Sequence, residues 1–424
     1  MMPPVADATP AARRRAILGW SLYDLANTVF FLLVVTLHLP RHLARISGDE
    51  STVAWSYVPT MLVAAFLSPA LGALVDRAGR AKACTFGITV VCCAATLLLG
   101  WPATALGVSL IYAIARFSYE MASVPYNALL PSVAAAGATG AISGLGVALG
   151  YVGNVVALGL LALLGLESDF AVYAFAAALF FLFTLPFHLW VREPPAPAGA
   201  RCGWRDVVGA TTSTWSALKR QFREPARRTY LLGMLLVCDA LNTVLVQIGR
   251  YAARPEGLGL SDDGVLTFLM AVQGSAIAGG VLLGRLADRR TGRRATLLAI
   301  ALLLLGVAAA QFLPGFWLRT IAMSVLGGAG LAGVWAAGRQ WLVELVPPRE
   351  IGEAFGFYGL VQRASVLTLF PFTWMFDRPS ADGSHSYGPS VVLLLAVLAA
   401  GFELLRRTPA QRAPETAPVS ASRS

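Results

Sequence analysis

Apolar runs close to twenty residues long recur at 17–40, 53–75, 83–101, 105–125, 142–165, 170–191, 229–251, 263–285, 294–313, 316–338, 354–376 and 388–407. Short polar or charged stretches separate them. At about 1.5 Å of rise per residue, a helix of this length crosses a hydrocarbon core of about 30 Å. The pattern predicts an all-α membrane protein with twelve transmembrane helices. Composition agrees: 57% of the 424 residues are hydrophobic and 13% charged, which excludes an ordinary water-soluble domain. The first run follows the basic flank Arg13, Arg14 and Arg15, as a signal peptide would, but it is long and has no small-residue cleavage site. A retained first helix is expected.

The longest internal hydrophilic stretch, 192–228, divides the chain into two sets of six helices. The expected organisation is an N-terminal tail (1–16), a six-helix bundle (17–191), a central loop (192–228), a second six-helix bundle (229–407) and a disordered tail (408–424). Proline and glycine near 194–203 resist helix, whereas "VVGATTSTWSALKRQF" suits an amphipathic helix on the membrane surface.

The net charge of +10 is explained by where the basic residues fall. With the N-terminus inside, the outer loops hold only Arg41, Arg45, Arg250, Arg254 and Arg378 of the 33 Lys and Arg, and Arg116, Arg319 and Arg363 lie within spans. All the others face the cytoplasm, so both termini are expected there, in a bacterial inner membrane, with lipid rather than nucleic acid as the surrounding partner. The five cysteines have no CxxC spacing and fall mostly inside spans, which predicts packing roles and neither metal nor disulfide.

Two motif pairs repeat across the halves. "YDLANTVF" at 23–30 returns as "CDALNTVL" at 238–245, and "GALVDRAGRAK" at 72–82 returns as "GRLADRRTGRR" at 284–294. Two pairs at nearly one offset indicate internal duplication, which parallel-repeat transporters display. The second motif, placed between helices two and three and again between eight and nine, resembles the signature loop of the major facilitator superfamily. That resemblance implies two pseudo-symmetric six-helix bundles around a central cavity, a small-molecule substrate, a monomer and no cofactor.

Within the superfamily, "GWSLYDLANTVF", "YNALLPSVA", "SGLGVALGYVGN", "GVWAAGRQWLVELVPP" and "FGFYGLVQRAS" resemble the branch of autophagy-related vacuolar amino-acid effluxers and their bacterial relatives. Departures fall at Leu25, Asn154, Trp335 and Arg363, where that branch tends to carry Trp, Gly, Gln and Lys.

A charge at the bilayer centre costs roughly 2.5–3.5 kcal/mol even on a lenient scale, so intramembrane ionisable residues normally face the bundle interior or a wet cavity. Asp24 and Asn27 share one face of the first helix, and Asp239 and Asn242 repeat them on the seventh. They are candidates to bind a proton or a cationic group, or to form a structural polar network. Arg116 and Glu120, four apart on the fourth helix, suit an intrahelical ion pair or a proton site. Arg363 on the eleventh has no acidic residue one turn before it, so a carboxylate from the substrate, or from Asp24 or Asp239, is the expected partner. Tyr23 and Trp335 are candidate cavity walls. Gly72, Asp76, Arg77, Gly79 and Arg80, with Gly284, Asp288, Arg289, Gly292 and Arg293, are expected to clasp neighbouring helices when an inner gate shuts. Arg339 and Glu344, placed in the connection after the tenth helix, join the same charge layer.

"GAGLAG" at 328–333 fits a dinucleotide pattern but lies inside an apolar helix with no preceding strand, so helix packing is the expectation. No catalytic motif is present and an enzyme is not expected. The sequence reading is a secondary transporter, most simply a proton-coupled exporter of amino acids or similar polar solutes. A cation-coupled sugar symporter, or a receptor on the same fold, are the alternatives.

Overall fold

The computed structural model describes residues 9–47, 52–102, 104–134, 137–193, 218–365, 367–377 and 386–409. Its long helices, in chain order, are α1 (Pro10–Ser47), α2 (Thr52–Ala78), α3 (Ala81–Leu98), α4 (Ala105–Ala128), α5 (Thr139–Leu164), α6 (Asp169–Trp190), α7 (Pro225–Ala253), α8 (Asp262–Arg289), α9 (Gly292–Phe312), α10 (Phe316–Leu345), α11 in two pieces (Ile351–Ala364 and Leu369–Asp377) and α12 (Gly388–Arg406). Ten of these are long and apolar enough to cross a membrane. The other two are informative. α4 carries Arg116 and Glu120, and α11 is interrupted. Most of the proposed surface helix in the central loop, Cys202 and the C-terminal tail beyond 409 lie outside the described residues. The first helix begins at Pro10, before the apolar run at 17, because Thr9 caps it by accepting the Ala12 N–H at 3.3 Å and Pro10 stands at its first position.

Local signals set several helix ends. Thr104, Ser168, Ser261 and Thr291 cap α4, α6, α8 and α9 through their hydroxyls. Gly79 ends the helical stretch of α2 at φ 60°, in the left-handed region where a side chain is strained. Its repeat partner Gly292 is glycine for another reason: a Cβ there would stand 2.5 Å from the Trp341 amide nitrogen.

Exposed side chains such as Leu62, Phe66, Leu163 and Leu189 cover the outside, while Asp24, Arg116, Asp239 and Arg363 are buried. That distribution suits hydrocarbon as the solvent. The halves meet where α2 packs on the first piece of α11 and α5 packs on α8. Backbones touch there through glycine: a Cβ on Gly72 would collide with the Gly352 carbonyl, and one on Gly144 with that of Gly280. The glycines of "GAGLAG" are also close-packing positions, within the second half: Gly330 lies against the Leu303 backbone and Gly333 against the Leu283 side chain.

Candidate functional site

At the end of the molecule that carries the two repeated loops, each half holds the other by one aspartate. Asp76, in the last turn of α2, accepts the backbone N–H groups of Gly352 and Glu353 at 2.8 and 2.7 Å. Asp288, its repeat partner on α8, accepts those of Gly140 and Ala141, both at 2.7 Å. The first turns of α11 and α5 have unsatisfied N–H donors and a partial positive charge, so a carboxylate from across the interface caps each. The arginines of the motif do not share this work. Arg77, Arg80 and Arg289 are exposed, and Arg293 donates to the Arg406 carbonyl within its own half. Nearby, Glu344 accepts the Gly292 N–H at 2.9 Å, and the Glu353 side chain accepts from Arg220 and Gln221 at the end of the central loop.

Deeper along the interface lies the first ion pair between halves. Arg339 Nη1 is 3.1 Å from Asp24 Oδ2, joining α10 to α1. Arg339 therefore belongs to the tenth helix and not to the loop after it, because α10 continues through the polar residues to Leu345. Its guanidinium sits 5.8 Å from the Trp20 ring, which stacks on Tyr126 at 4.6 Å. Trp20 and Tyr126 also exchange hydrogen bonds with each other's backbone carbonyls. A Cβ on Gly146 would stand 2.9 Å from Asp24 Oδ2, so α5 leaves the room that this carboxylate occupies.

The second cluster joins α4 to α11. Arg116 Nη2 is 2.6 Å from Glu120 Oε1, the intrahelical pair that the spacing predicts. Arg363 Nε approaches Glu120 Oε2 to 2.9 Å, and its Nη2 donates to the Glu120 carbonyl and to Ser123 Oγ. The partner of Arg363 is thus Glu120, and neither Asp24 nor Asp239. Phe31, Tyr57 and Tyr119 surround the Arg116 guanidinium with ring centroids at 5.1, 5.4 and 5.0 Å, within cation–π reach.

Asp239 and Asn242 have a different task from their counterparts. Asp239 accepts the Thr368 N–H at 3.0 Å and also the Thr368 hydroxyl, while Asn242 Nδ2 donates to the Ser365 carbonyl at 2.9 Å. Both sides of the break in α11 are held by α7, which supplies the partners the interrupted ladder needs. The repeated aspartates therefore have different partners, Arg339 across the interface for Asp24 and Thr368 within its own half for Asp239. Asn27 is buried, and its Oδ1 has no hydrogen-bond partner among the described residues. Tyr23 is a core residue, with its ring on Tyr126 and its hydroxyl 2.7 Å from Thr89 Oγ1. Trp335 is half-buried beside Val147 and Ala276, between α5, α8 and α10.

Arg339 is the site residue whose depth the sequence reading missed, and the signal was its distance of only four residues from Trp335 on a continuing helix. At the opposite end, His38, His42 and Arg45 of α1 gather on Asp169 of α6 at 2.9, 3.3 and 2.5 Å. No motif pointed to that cluster, because Asp169 lies more than 120 residues from the other three.

The chain matches the family model of the Major Facilitator Superfamily over residues 3–158, 149–371 and 258–421. It is similar to the uncharacterized MFS-type transporter YxiO of Bacillus subtilis (strain 168), 26% identical over 374 residues that span 81% of this chain and 83% of the relative. It is also similar to an uncharacterized protein of Aquifex aeolicus (strain VF5), 28% identical over 369 residues, 85% of this chain and 88% of the relative. A bacterial homologue of the iron transporter ferroportin in an outward-facing state superposes with a TM-score of 0.70 at 15% identity, over 94% of this chain and 99% of that one. The proton:xylose symporter XylE gives 0.67 at 16% identity, over 94% and 95% of the two chains. Likeness at this level of identity concerns the fold. With twelve helices in two repeated halves and a family match along nearly its whole length, the chain belongs to the Major Facilitator Superfamily, as a multi-pass membrane transporter.

Proposed function

We propose that this transporter moves amino acids or similarly small polar solutes out of the cytoplasm, coupled to protons, by alternating access between its halves. It acts as a monomer in a bacterial inner membrane with both termini and the motif loops on the cytoplasmic side. One observation carries the reading: two carboxylates at the interface, the buried Asp24 and the partly buried Glu120, each face an arginine from the opposite half, Arg339 and Arg363. Protonating either carboxylate removes the charge that holds its arginine, so proton binding and separation of the halves act on the same contacts. An amino acid presents an ammonium and a carboxylate, and the interface offers partners of both signs.

In this reading Asp76 and Asp288 shut the cytoplasmic side in the conformation described, Asp24 and Glu120 are the proton sites, and Asp239 holds the shape of α11. Proteoliposomes containing the purified chain are expected to take up amino acids in response to an imposed pH gradient. Asp24→Asn and Glu120→Gln are expected to uncouple uptake from that gradient while leaving exchange of substrate intact. Unchanged coupling in both variants refutes the proton-site assignment.

A further inference from the structure

Three ionisable side chains, Arg116, Glu120 and Arg363, meet at the boundary of α4 and α11 with two positive charges and one negative. Arg116 and Arg363 are 3% and 4% exposed. The Glu120 carboxylate touches both guanidiniums but balances the charge of only one. Arg116 Nε and Nη1 and Arg363 Nη1 are buried with no hydrogen-bond partner among the described residues, and Arg363 Nε lies near Glu120 without the alignment of a hydrogen bond. Buried guanidinium donors are expensive to leave unmatched, and buried charge is ordinarily paired.

The site is also built to hold its cations in place. Three aromatic rings surround Arg116. A Cβ on residue 359 would collide with Arg363 Nη1, so Gly359 is what lets this guanidinium lie back against its own helix.

We propose that Arg116 and Arg363 form a binding site for one carboxylate group of the transported solute, entered past Glu120, the most exposed side chain of the three. The charge count selects the ligand class. A single carboxylate brings the cluster to neutrality, whereas a phosphate dianion leaves an excess negative charge and a sugar or an amine leaves the excess positive charge in place. The ligand is therefore a monocarboxylate or a zwitterion with a free carboxylate. This rests on the transporter reading above and narrows its substrates. It does not depend on proton coupling or on direction.

The test uses the full chain purified in detergent and a panel of paired probes that differ only at the carboxyl: amino acids and 2-hydroxy acids against their amides, with sugars, amines and inorganic phosphate alongside. The carboxylate member of at least one pair is expected to raise the unfolding temperature while its amide does not, since a ligand that binds only the folded state must stabilise it. Arg363→Gln is expected to weaken that ligand roughly thirtyfold or more, as loss of one partner of a buried charged contact does, and Arg363→Lys to recover part of the loss. Glu120→Gln is expected to tighten it, because the competing internal carboxylate is gone. A purely structural triad gives no tightening. Gly359→Ala keeps every charge and is expected to weaken the ligand by displacing Arg363.

Equal stabilisation by acid and amide, preference for a sugar, an amine or phosphate, or no stabilisation by any carboxylate overturns the proposal. Counterflow in proteoliposomes separates the two readings. Transport confined to neutral or cationic solutes removes the carboxylate site and keeps the transporter. Stabilisation by a carboxylate without its counterflow keeps the site and removes that solute as cargo.

Discussion

Asp24 and Arg339 come from opposite halves of the chain, 315 residues apart, and meet at 3.1 Å in the buried interface between α1 and α10. Asp24 is a member of the repeated D-x-x-N motif, whereas Arg339 lies in neither of the two repeated motif pairs. Breaking such a pair from one side leaves the other charge buried and alone, which typically costs about 3–5 kcal/mol. Asp24→Asn and Arg339→Gln are each expected to lower the unfolding temperature of the purified protein. The double variant is expected to be more stable than the sum of the single losses predicts. Simple additivity in this cycle, followed by calorimetry or fluorescence, would show that the two side chains do not depend on each other.

The two motif aspartates are expected to act as equivalent latches. Asp76→Ala and Asp288→Ala each strip a helix N-terminus of a carboxylate that accepts two backbone N–H groups, a loss of about 1–3 kcal/mol. The loss falls on the closed arrangement of this end. A cysteine placed at buried Ser143, in a background without native cysteines, is expected to be alkylated several times faster in either variant. Equal rates in variant and parent would remove the latch.

Glycine at the half-to-half contacts is a matter of space. Gly144→Ala puts a methyl group into the Gly280 carbonyl, whereas Gly159→Ala on the same helix meets nothing within 4 Å. Transport is expected to fail in Gly144→Ala and to persist in Gly159→Ala. The Ser143 cysteine is expected to become accessible only in the first, because α5 and α8 can no longer approach.

The break in α11 is expected to depend on α7. Thr368→Val deletes the hydroxyl bond to Asp239 but keeps the backbone bond, and should cost about 1 kcal/mol. Asp239→Leu deletes both and should cost several times more. Hydrogen exchange at the Thr368 amide is expected to rise modestly in the first variant and strongly in the second. Equal protection in both would mean that the second helical piece stands without its carboxylate.

Much of the architecture was legible in the sequence, since hydrophobic run length sets span number and two motif pairs at nearly one offset point to duplication. The Arg116–Glu120 pair was legible for a similar reason, because it depends only on the four-residue spacing of one helix. Gly79 could be read as a helix stop, although the steric reason for Gly292, a backbone pressed against Trp341, could not.

What the sequence could not supply was the pairing between helices. Asp24 and Asp239 look alike in sequence, yet one forms an ion pair across the interface and the other secures a broken helix within its own half. Duplication copies the local pattern, but the partner of a side chain is set by which helix packs opposite it. That choice depends on small residues that leave the room for it, Gly146 of α5 beside Asp24 and Gly359 one turn before Arg363 on its own helix. Hydrophobicity and local spacing are enough to give twelve spans, two related halves and the ionisable residues that must be buried. Tertiary structure alone decided that Arg339 reaches Asp24, that Arg363 shares Glu120 with Arg116, and that the motif aspartates cap helices of the opposite half, because each needs two backbones brought to within a few ångströms.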